Sequence, residues 1–174
     1  MLHNTFCRRL AALVLTLVFA AAAALQGLAV YPMPIQTATE TEAVYLFNAD
    51  TGKTLLTQNA DQPRYVASLT KMMTALLLLE SGKDLNGEVT VPTDLTQEFK
   101  DIQNANGTTM GLRIGETVRR IDLLNALLIT SANDAASVIA WDVGGSLNAF
   151  IQQMNARAAE LGCTSATFTC AHGL

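Results

Sequence analysis

The sequence has very few of the side chains that commonly bind metals. Its 174 residues include only 2 histidines and 3 cysteines, and His3 and Cys7 fall in an N-terminal stretch that we predict to be a leader. The others, His172, Cys163 and Cys170, fit no Cys/His metal motif by their spacing. We therefore expect neither a metal nor another cofactor. In an exported protein, the two remaining cysteines predict either a small-loop disulfide or two unpaired thiols.

Basic residues are also scarce. Lysine and arginine together number 11, against 15 aspartates and glutamates, and two of the basic residues, Arg8 and Arg9, lie in the predicted leader. Without these two, the body of the chain has 9 basic residues and a net charge of 6 negative. Nucleic-acid binding depends on neutralising phosphates with basic residues, so the charge argues against a nucleic-acid partner.

Charged residues are absent from a long apolar run near the N-terminus. After Arg8 and Arg9, residues 10–25 are uncharged, and small residues occupy 20–24, 27 and 29. This order is typical of a secretory signal peptide, which we assign to residues 1–29; an uncleaved membrane anchor is the alternative. In either case we expect the body of the protein to be exported and to lie outside the cytoplasm. Membrane contact is expected only through an uncleaved leader.

The rest of the chain shows no repeats and predicts a single α+β domain. Residues 30–42, with two prolines, predict a linker, and residues 43–58 predict a β-hairpin. Residues 68–80 predict a helix that is apolar almost all round, which is expected in the middle of a domain. A short strand, a helical turn, an Asn-rich loop and three further helices are predicted at 84–91, 93–99, 101–107, 119–129, 135–143 and 146–161.

The start of the predicted central helix carries a candidate nucleophile. Ser68 and Lys71 are three residues apart, so a helix would bring hydroxyl and amine to one face. A lysine in the first turn faces the positive end of the helix dipole, and burial there would lower its pKa and leave a neutral amine able to act as a base. The alternative is structural: Ser68 caps the helix and Lys71 is solvated.

A second candidate site lies where two predicted helices meet. Ser131 and Asn133 place a hydroxyl and an amide in a tight break, with the small Ala132 between them. These groups could reach a substrate carbonyl and a catalytic lysine. The alternative is that Ser131 caps the following helix. A similar Ser-x-Asn sequence begins at Ser146, but it follows two glycines and opens an amphipathic helix, so capping explains it.

Together these segments resemble the serine penicillin-recognising enzymes, and among them the D-alanyl-D-alanine carboxypeptidases. The resemblance includes Ser-x-x-Lys and Ser-x-Asn motifs with a known mechanistic basis. It covers residues 43–174 and is carried by 59–65, 67–76, 107–110, 127–136 and the closing His-Gly-Leu at 172–174. It implies a β-lactamase/transpeptidase-like fold, in which an antiparallel sheet with a central helix is joined to a helical subdomain.

The resemblance also implies a role for each matching residue. Ser68 would attack the carbonyl of the terminal peptide bond, Lys71 would take its proton, and Ser131 would relay a proton to the leaving D-alanine. Asn133 would hold the substrate amide and help to fix Lys71. The backbone N–H of Ser68 would form part of the oxyanion hole. The implied partners are peptidoglycan stem peptides ending in D-Ala-D-Ala, and β-lactam antibiotics.

Three departures from the family pattern qualify this interpretation. Ala132 stands where many relatives have glycine, and Cys170-Ala171 stands where many have a residue followed by proline. No Lys-Thr-Gly sequence follows Asn133, so we expect residues 43–174 to be the N-terminal part of the domain, without its C-terminal strands and weakly active or inactive. A β-lactamase-like hydrolase and a noncatalytic cell-wall-binding remnant remain as alternatives.

Overall fold

A computed structural model describes residues 41–174 of the chain. The predicted signal peptide and nearly all of the predicted linker lie outside the described residues. The chain divides into two compact units between Asp61 and Gln62. Within the described residues, no helix combines the length and apolar character that a membrane crossing requires.

The described part of the first unit is the predicted β-hairpin. Strands β1 (Val44–Asn48) and β2 (Lys53–Gln58) pair antiparallel. The turn is closed by the side chain of Asn48, which accepts the N–H of Thr51 at 2.9 Å. Gly52 has a φ of +68°, a conformation that glycine adopts without steric cost. The hairpin prediction is confirmed.

The second unit contains a small antiparallel sheet, five α-helices and a π-helix, with shorter turns between them. Two of these turns are 3₁₀ helices, Ala67–Leu69 and Thr93–Leu95. The longer elements are α1 (Thr70–Glu80), β3 (Glu88–Thr90), α2 (Thr96–Asn104), β4 (Thr117–Arg119), α3 (Arg120–Asn125), a π-helix (Ala126–Thr130), α4 (Asn133–Gly144) and α5 (Leu147–Glu160).

Two elements of this unit differ from the sequence predictions. Residues 101–104 were expected in a loop but belong to α2, because Ile102 is buried and anchors this last turn. Strand β4 was not predicted at all. Its three residues form a strand because they pair with β3, with Val89 opposite Val118, and such a partner distant in sequence leaves no local periodicity.

Helix α4, rather than α1, is the most deeply buried helix. It packs against α1, α3 and α5, and its residues 135–140 are each at most 1% exposed. The alanines on α4 have no bulk beyond Cβ, which lets neighbouring helices approach closely. Helix α1, expected in the middle, buries Thr74 and Leu78 but leaves Met72 66% exposed and Leu79 54% exposed.

The chain enters α1 through a strained residue. Ala67 has a φ of +47°, in the left-handed region that L-residues seldom occupy. Ser68 lies in the 3₁₀ turn that follows, and the regular helix begins at Thr70 rather than at Ser68. Neither the turn nor α1 has a side-chain cap, so the capping role considered for Ser68 is wrong.

A buried carboxylate ties α4 to the loop that precedes β4. Asp134 is 2% exposed, and its Oδ1 accepts the N–H groups of Met110 at 3.0 Å and Ala135 at 2.9 Å. Its Oδ2 accepts those of Gly111 and Leu112, both at 3.0 Å. A buried N–H group without an acceptor is costly in free energy. The loop therefore stays where its N–H groups reach this carboxylate, at the start of α4.

Replacing Asp134 with alanine should therefore destabilise the fold strongly. Four N–H groups would lose their acceptor, and we expect the free energy of unfolding to fall by roughly 3–5 kcal/mol. Urea denaturation followed by circular dichroism measures the change. Asp94→Ala, which removes an exposed carboxylate, is the control and should change stability by less than about 0.5 kcal/mol. A loss below about 1 kcal/mol for Asp134→Ala would contradict this role.

The π-helix ends at a second left-handed residue. Ser131 has a φ of +59°, and the carbonyl of Ala126 accepts the N–H groups of both Ser131 and Ala132. Glycine is the usual residue at such a helix end, because the left-handed conformation costs an L-residue roughly 1–2 kcal/mol of conformational energy. The backbone at Ser131 is therefore strained.

This strain can be measured with two substitutions that both remove the hydroxyl. We expect Ser131→Gly to be more stable than Ser131→Ala by about 1 kcal/mol, because only glycine relaxes at a positive φ. Ser81, at the end of α1 with a φ of −65°, provides the control, and there alanine should be more stable than glycine. Thermal unfolding of the four variants compares the pairs. Equal stability of the two Ser131 variants would argue against backbone strain.

Candidate active site

Three of the four predicted site residues meet at one oxygen atom. The Nζ of Lys71 lies 3.1 Å from the Oγ of Ser68, and the Oγ of Ser131 lies 2.8 Å from the same atom. Ser68 and Lys71 are brought together by one helical turn. Ser131 is 63 residues away from Ser68 in sequence and arrives from the end of the π-helix. The arrangement places a hydroxyl between an amine and a second hydroxyl.

Lys71 is held by a partner distant in sequence. Its Nζ donates to the backbone carbonyl of His172 at 2.8 Å, and the residue is 3% exposed. Burial lowers the pKa of Lys71 from its ordinary value of 10.5, although the charge of Cys170 acts in the opposite direction. A neutral amine has two N–H groups and one lone pair. With one N–H bound to His172, the lone pair can face Ser68 and accept its proton.

The segment 170–174 is pressed against the start of α1. The Oγ1 of Thr74 donates to the carbonyl of Ala171 at 2.6 Å. Gly173 has a φ of +79°, and a Cβ at this position would collide with the carbonyl of Ala67 and lie 2.8 Å from the Oγ1 of Thr70. Glycine is therefore required here for two reasons, its conformation and the space available.

The side chain of Cys170 helps to close this turn. Its Sγ accepts the N–H of Gly173 at 3.1 Å. A hydrogen bond with His172 lowers the pKa of Cys170 to about 6, helped by the backbone N–H groups of His172 and Gly173, although burial opposes the shift. Cys163 and Cys170 are both free thiols, so of the two predicted alternatives the structure has the unpaired one.

Asn133 occupies a different position from the other three residues. It is 4% exposed, and its Nδ2 donates to the carbonyl of Thr108 at 3.0 Å, as does its backbone N–H at 2.8 Å. Within residues 41–174, no hydrogen bond joins Asn133 to Lys71; the lysine is fixed by His172 instead. Ser146 caps α5 by accepting the N–H of Ala149 at 3.1 Å, which confirms its predicted structural role.

Sequence reasoning missed two residues that contribute to this arrangement. His172 was noted only as part of a motif, because the group that binds Lys71 is its backbone carbonyl, which every residue type has. Glu98, which binds the His172 ring at 3.0 Å, lies in a helix with no recognisable motif. The sequence offered one signal for His172: a glycine directly follows it, and it is the only histidine outside the predicted leader.

A cavity of about 390 Å³ opens over the site and is lined by both serines, Lys71 and apolar side chains such as Leu69 and Met72. A larger depression, of about 450 Å³, lies between α2 and the loop at 107–112 and does not include Ser68. We regard the smaller cavity as the candidate site, because it is lined by Ser68, the predicted nucleophile. Residues 41–174 contain no cluster of three or more His, Cys, Asp or Glu side chains that could hold a metal.

Comparison with known proteins places these features in a family. Residues 32–174 match the peptidase family described as D-alanyl-D-alanine carboxypeptidase. The chain is 35% identical over 141 residues to the D-alanyl-D-alanine carboxypeptidase DacC of Escherichia coli, covering 78% of this chain and 34% of that protein. It is 31% identical over 142 residues to a D-alanyl-D-alanine endopeptidase of Pseudomonas aeruginosa, covering 82% and 44%. The chain thus spans between a third and a half of these relatives.

Solved structures agree with the sequence matches. The DD-transpeptidase of Streptomyces superposes with a TM-score of 0.67 and 33% identity, covering 75% of this chain and 52% of that one. The D-alanyl-D-alanine carboxypeptidase DacD of Francisella tularensis gives a TM-score of 0.68 and 25% identity, covering 83% and 34%. The predicted α+β, β-lactamase/transpeptidase-like fold is confirmed. Because the family match extends over most of the sequence, the chain belongs to the D-alanyl-D-alanine carboxypeptidase family of serine peptidases.

Proposed function

We propose that this chain carries the nucleophile and base of a serine-type D-Ala-D-Ala carboxypeptidase. The substrate would be a peptidoglycan stem peptide ending in D-Ala-D-Ala, from which the terminal D-alanine is removed outside the cytoplasm. The observation that carries the proposal is the convergence of Lys71 Nζ and Ser131 Oγ on Ser68 Oγ, at 3.1 and 2.8 Å. Nucleophilic catalysis by serine requires such a base within hydrogen-bond reach.

The chemistry would proceed through an acyl-enzyme. Ser68 Oγ attacks the carbonyl carbon of the terminal peptide bond while its proton passes to the amine of Lys71. Ser131 then relays the proton held by Lys71 to the nitrogen of the leaving D-alanine, and the C–N bond breaks. Water hydrolyses the resulting ester and regenerates Ser68. A β-lactam would acylate the same oxygen, because its strained amide resembles the end of the substrate.

Two further groups would bind the substrate. The bond to Thr108 uses an N–H of the Asn133 side chain, so its carbonyl oxygen is the group that would accept a substrate N–H. The backbone N–H of Ser68 would stabilise the developing oxyanion from the turn that precedes α1. The cavity over Ser68 would admit the end of the peptide to the serine hydroxyl.

Labelling with a fluorescent penicillin tests the proposal. We expect a stable adduct on Ser68, identified by peptide mass spectrometry, that is absent from Ser68→Ala. Lys71→Ala should slow acylation by about 10²–10⁴-fold, since this is the usual contribution of a general base. D-alanine release from a D-Ala-D-Ala peptide is measured in parallel. Rapid loss of the label would instead indicate a β-lactamase-like hydrolase, and no labelling would indicate a noncatalytic cell-wall-binding protein.

The pH dependence of acylation should report on Lys71. Only the neutral amine accepts a proton, so the rate should increase with pH and level off above the lowered pKa of Lys71. The negative charge of Cys170 raises that pKa; Cys170→Ser should therefore move the rise to lower pH. Stopped-flow acylation between pH 5 and pH 10 measures both profiles. A rise at unchanged pH in Cys170→Ser would show that the thiolate does not influence the base.

A further inference from the structure

Glu98, on α2, forms hydrogen bonds with both α4 and the segment 170–174. Its Oε1 accepts the hydroxyl of Ser137 on α4 at 2.9 Å and faces the Nε2 of His172 at 3.0 Å. Both partners are buried, Ser137 at 0% and His172 at 7% exposed. The carboxylate therefore fixes the His172 ring to the interior of the second unit.

Fixing the His172 ring restrains the position of the backbone carbonyl of the same residue. That carbonyl accepts Lys71 Nζ at 2.8 Å, and it belongs to the peptide bond between His172 and Gly173. Glycine imposes little restriction on its own backbone angles, so contacts have to hold this peptide plane. On the Gly173 side, the N–H donates to Cys170 Sγ at 3.1 Å. An anchored ring at His172 restrains the plane from the other side.

The protonation states in this cluster suit such an anchor. The hydrogen bond from His172 lowers the pKa of Glu98, as does the bond from Ser137, against the effect of burial. An ionised carboxylate only accepts hydrogen bonds, which matches both of its partners.

Burial acts to lower the pKa of His172, but Cys170 and Glu98 outweigh it and raise the value to about 9. The N–H of Leu174 lies 3.0 Å from Nδ1 and can donate only to the neutral ring. Nε2 carries a hydrogen in that tautomer and in the imidazolium, so Glu98 accepts in either case.

We propose that Glu98 is a positioning residue for the base. By holding the His172 ring, it keeps the His172 carbonyl where it binds one N–H of Lys71, and this leaves the lysine lone pair directed at Ser68. The inference rests on the proposed function for its effect on rate. Its structural part, the fixed orientation of Lys71, stands independently of any activity.

Acylation kinetics of three variants test the effect on rate. Glu98→Ala removes the acceptor and should lower the rate constant of acylation by penicillin at least about tenfold, with the initial binding constant unchanged, because only alignment is lost. Glu98→Gln keeps an acceptor oxygen and should retain most of the rate. Gln97→Ala, at an exposed position next to Glu98 on α2, is the control and should equal the unmodified chain. Equal acylation rates for Glu98→Ala and the unmodified chain would overturn the proposal.

A measurement that needs no substrate separates this inference from the proposed function. In a chain labelled with ¹³C-lysine, a fixed Lys71 should show two distinct Hε resonances in the NMR spectrum, and these should merge in Glu98→Ala but not in Glu98→Gln. If the unmodified chain is not acylated at all, the proposed function fails, and these resonances alone decide the role of Glu98. Unchanged resonances in Glu98→Ala would refute it.

A milder substitution covers the case in which Glu98→Ala does not fold. Ser137→Ala removes only the second hydrogen bond to the carboxylate and leaves His172 untouched. We expect a smaller loss of acylation rate, about two- to fivefold, in the same direction. If folded Ser137→Ala acylates at the full rate, and Lys71 remains fixed in Glu98→Asp, whose side chain is one methylene shorter, the positioning role is excluded.

Discussion

The hydrogen bond from Lys71 to the carbonyl of His172 is the interaction on which the site depends. A lysine buried in the first turn of a helix has lost its hydration and faces the positive end of the helix dipole. It is tolerated only with a well-placed acceptor, and here the acceptor is a backbone group. The chain can present that group because Gly173 approaches the Ala67 carbonyl more closely than any side chain would allow.

At the break between the π-helix and α4, four consecutive residues both contribute to the candidate site and hold the neighbouring loop in place. Ser131 directs its hydroxyl to Ser68, Ala132 is fully buried, and Asn133 and Asp134 both bind the loop at 108–112. The hydroxyl is therefore placed by the same contacts that fix the loop. This coupling explains how a residue with a strained backbone holds its position, since several contacts hold the residues that follow it.

Local patterns in the sequence were sufficient to predict part of this site. Ser68 and Lys71 could be paired because three residues on a helix span one turn, and Ser131 because a polar break interrupts two apolar helices. The hairpin at 43–58 was predicted from its alternation and turn residues. Each of these depends on neighbours in sequence, which is where periodicity and turn chemistry carry information.

The features that were not predicted all depend on contacts between distant segments. Strand β4 exists because β3 lies beside it, and Glu98 matters because His172 folds against α2. The α1 helix was expected to be central from its apolar residues alone, but Met72 and Leu79 are exposed and the alanine-rich α4 is buried instead. Composition indicates that a helix can be buried; it does not indicate which helix the others surround.

The separation of Lys71 from its acceptor has a consequence for folding. These two groups are 101 residues apart, so the bond closes a long loop and contributes to a high contact order. Loop closure of this length has an entropic cost that only the nearly complete fold can offset. The alignment of Lys71 with Ser68 therefore requires the nearly complete fold, and an incompletely folded chain contains the serine and the lysine without the geometry of the proposed site.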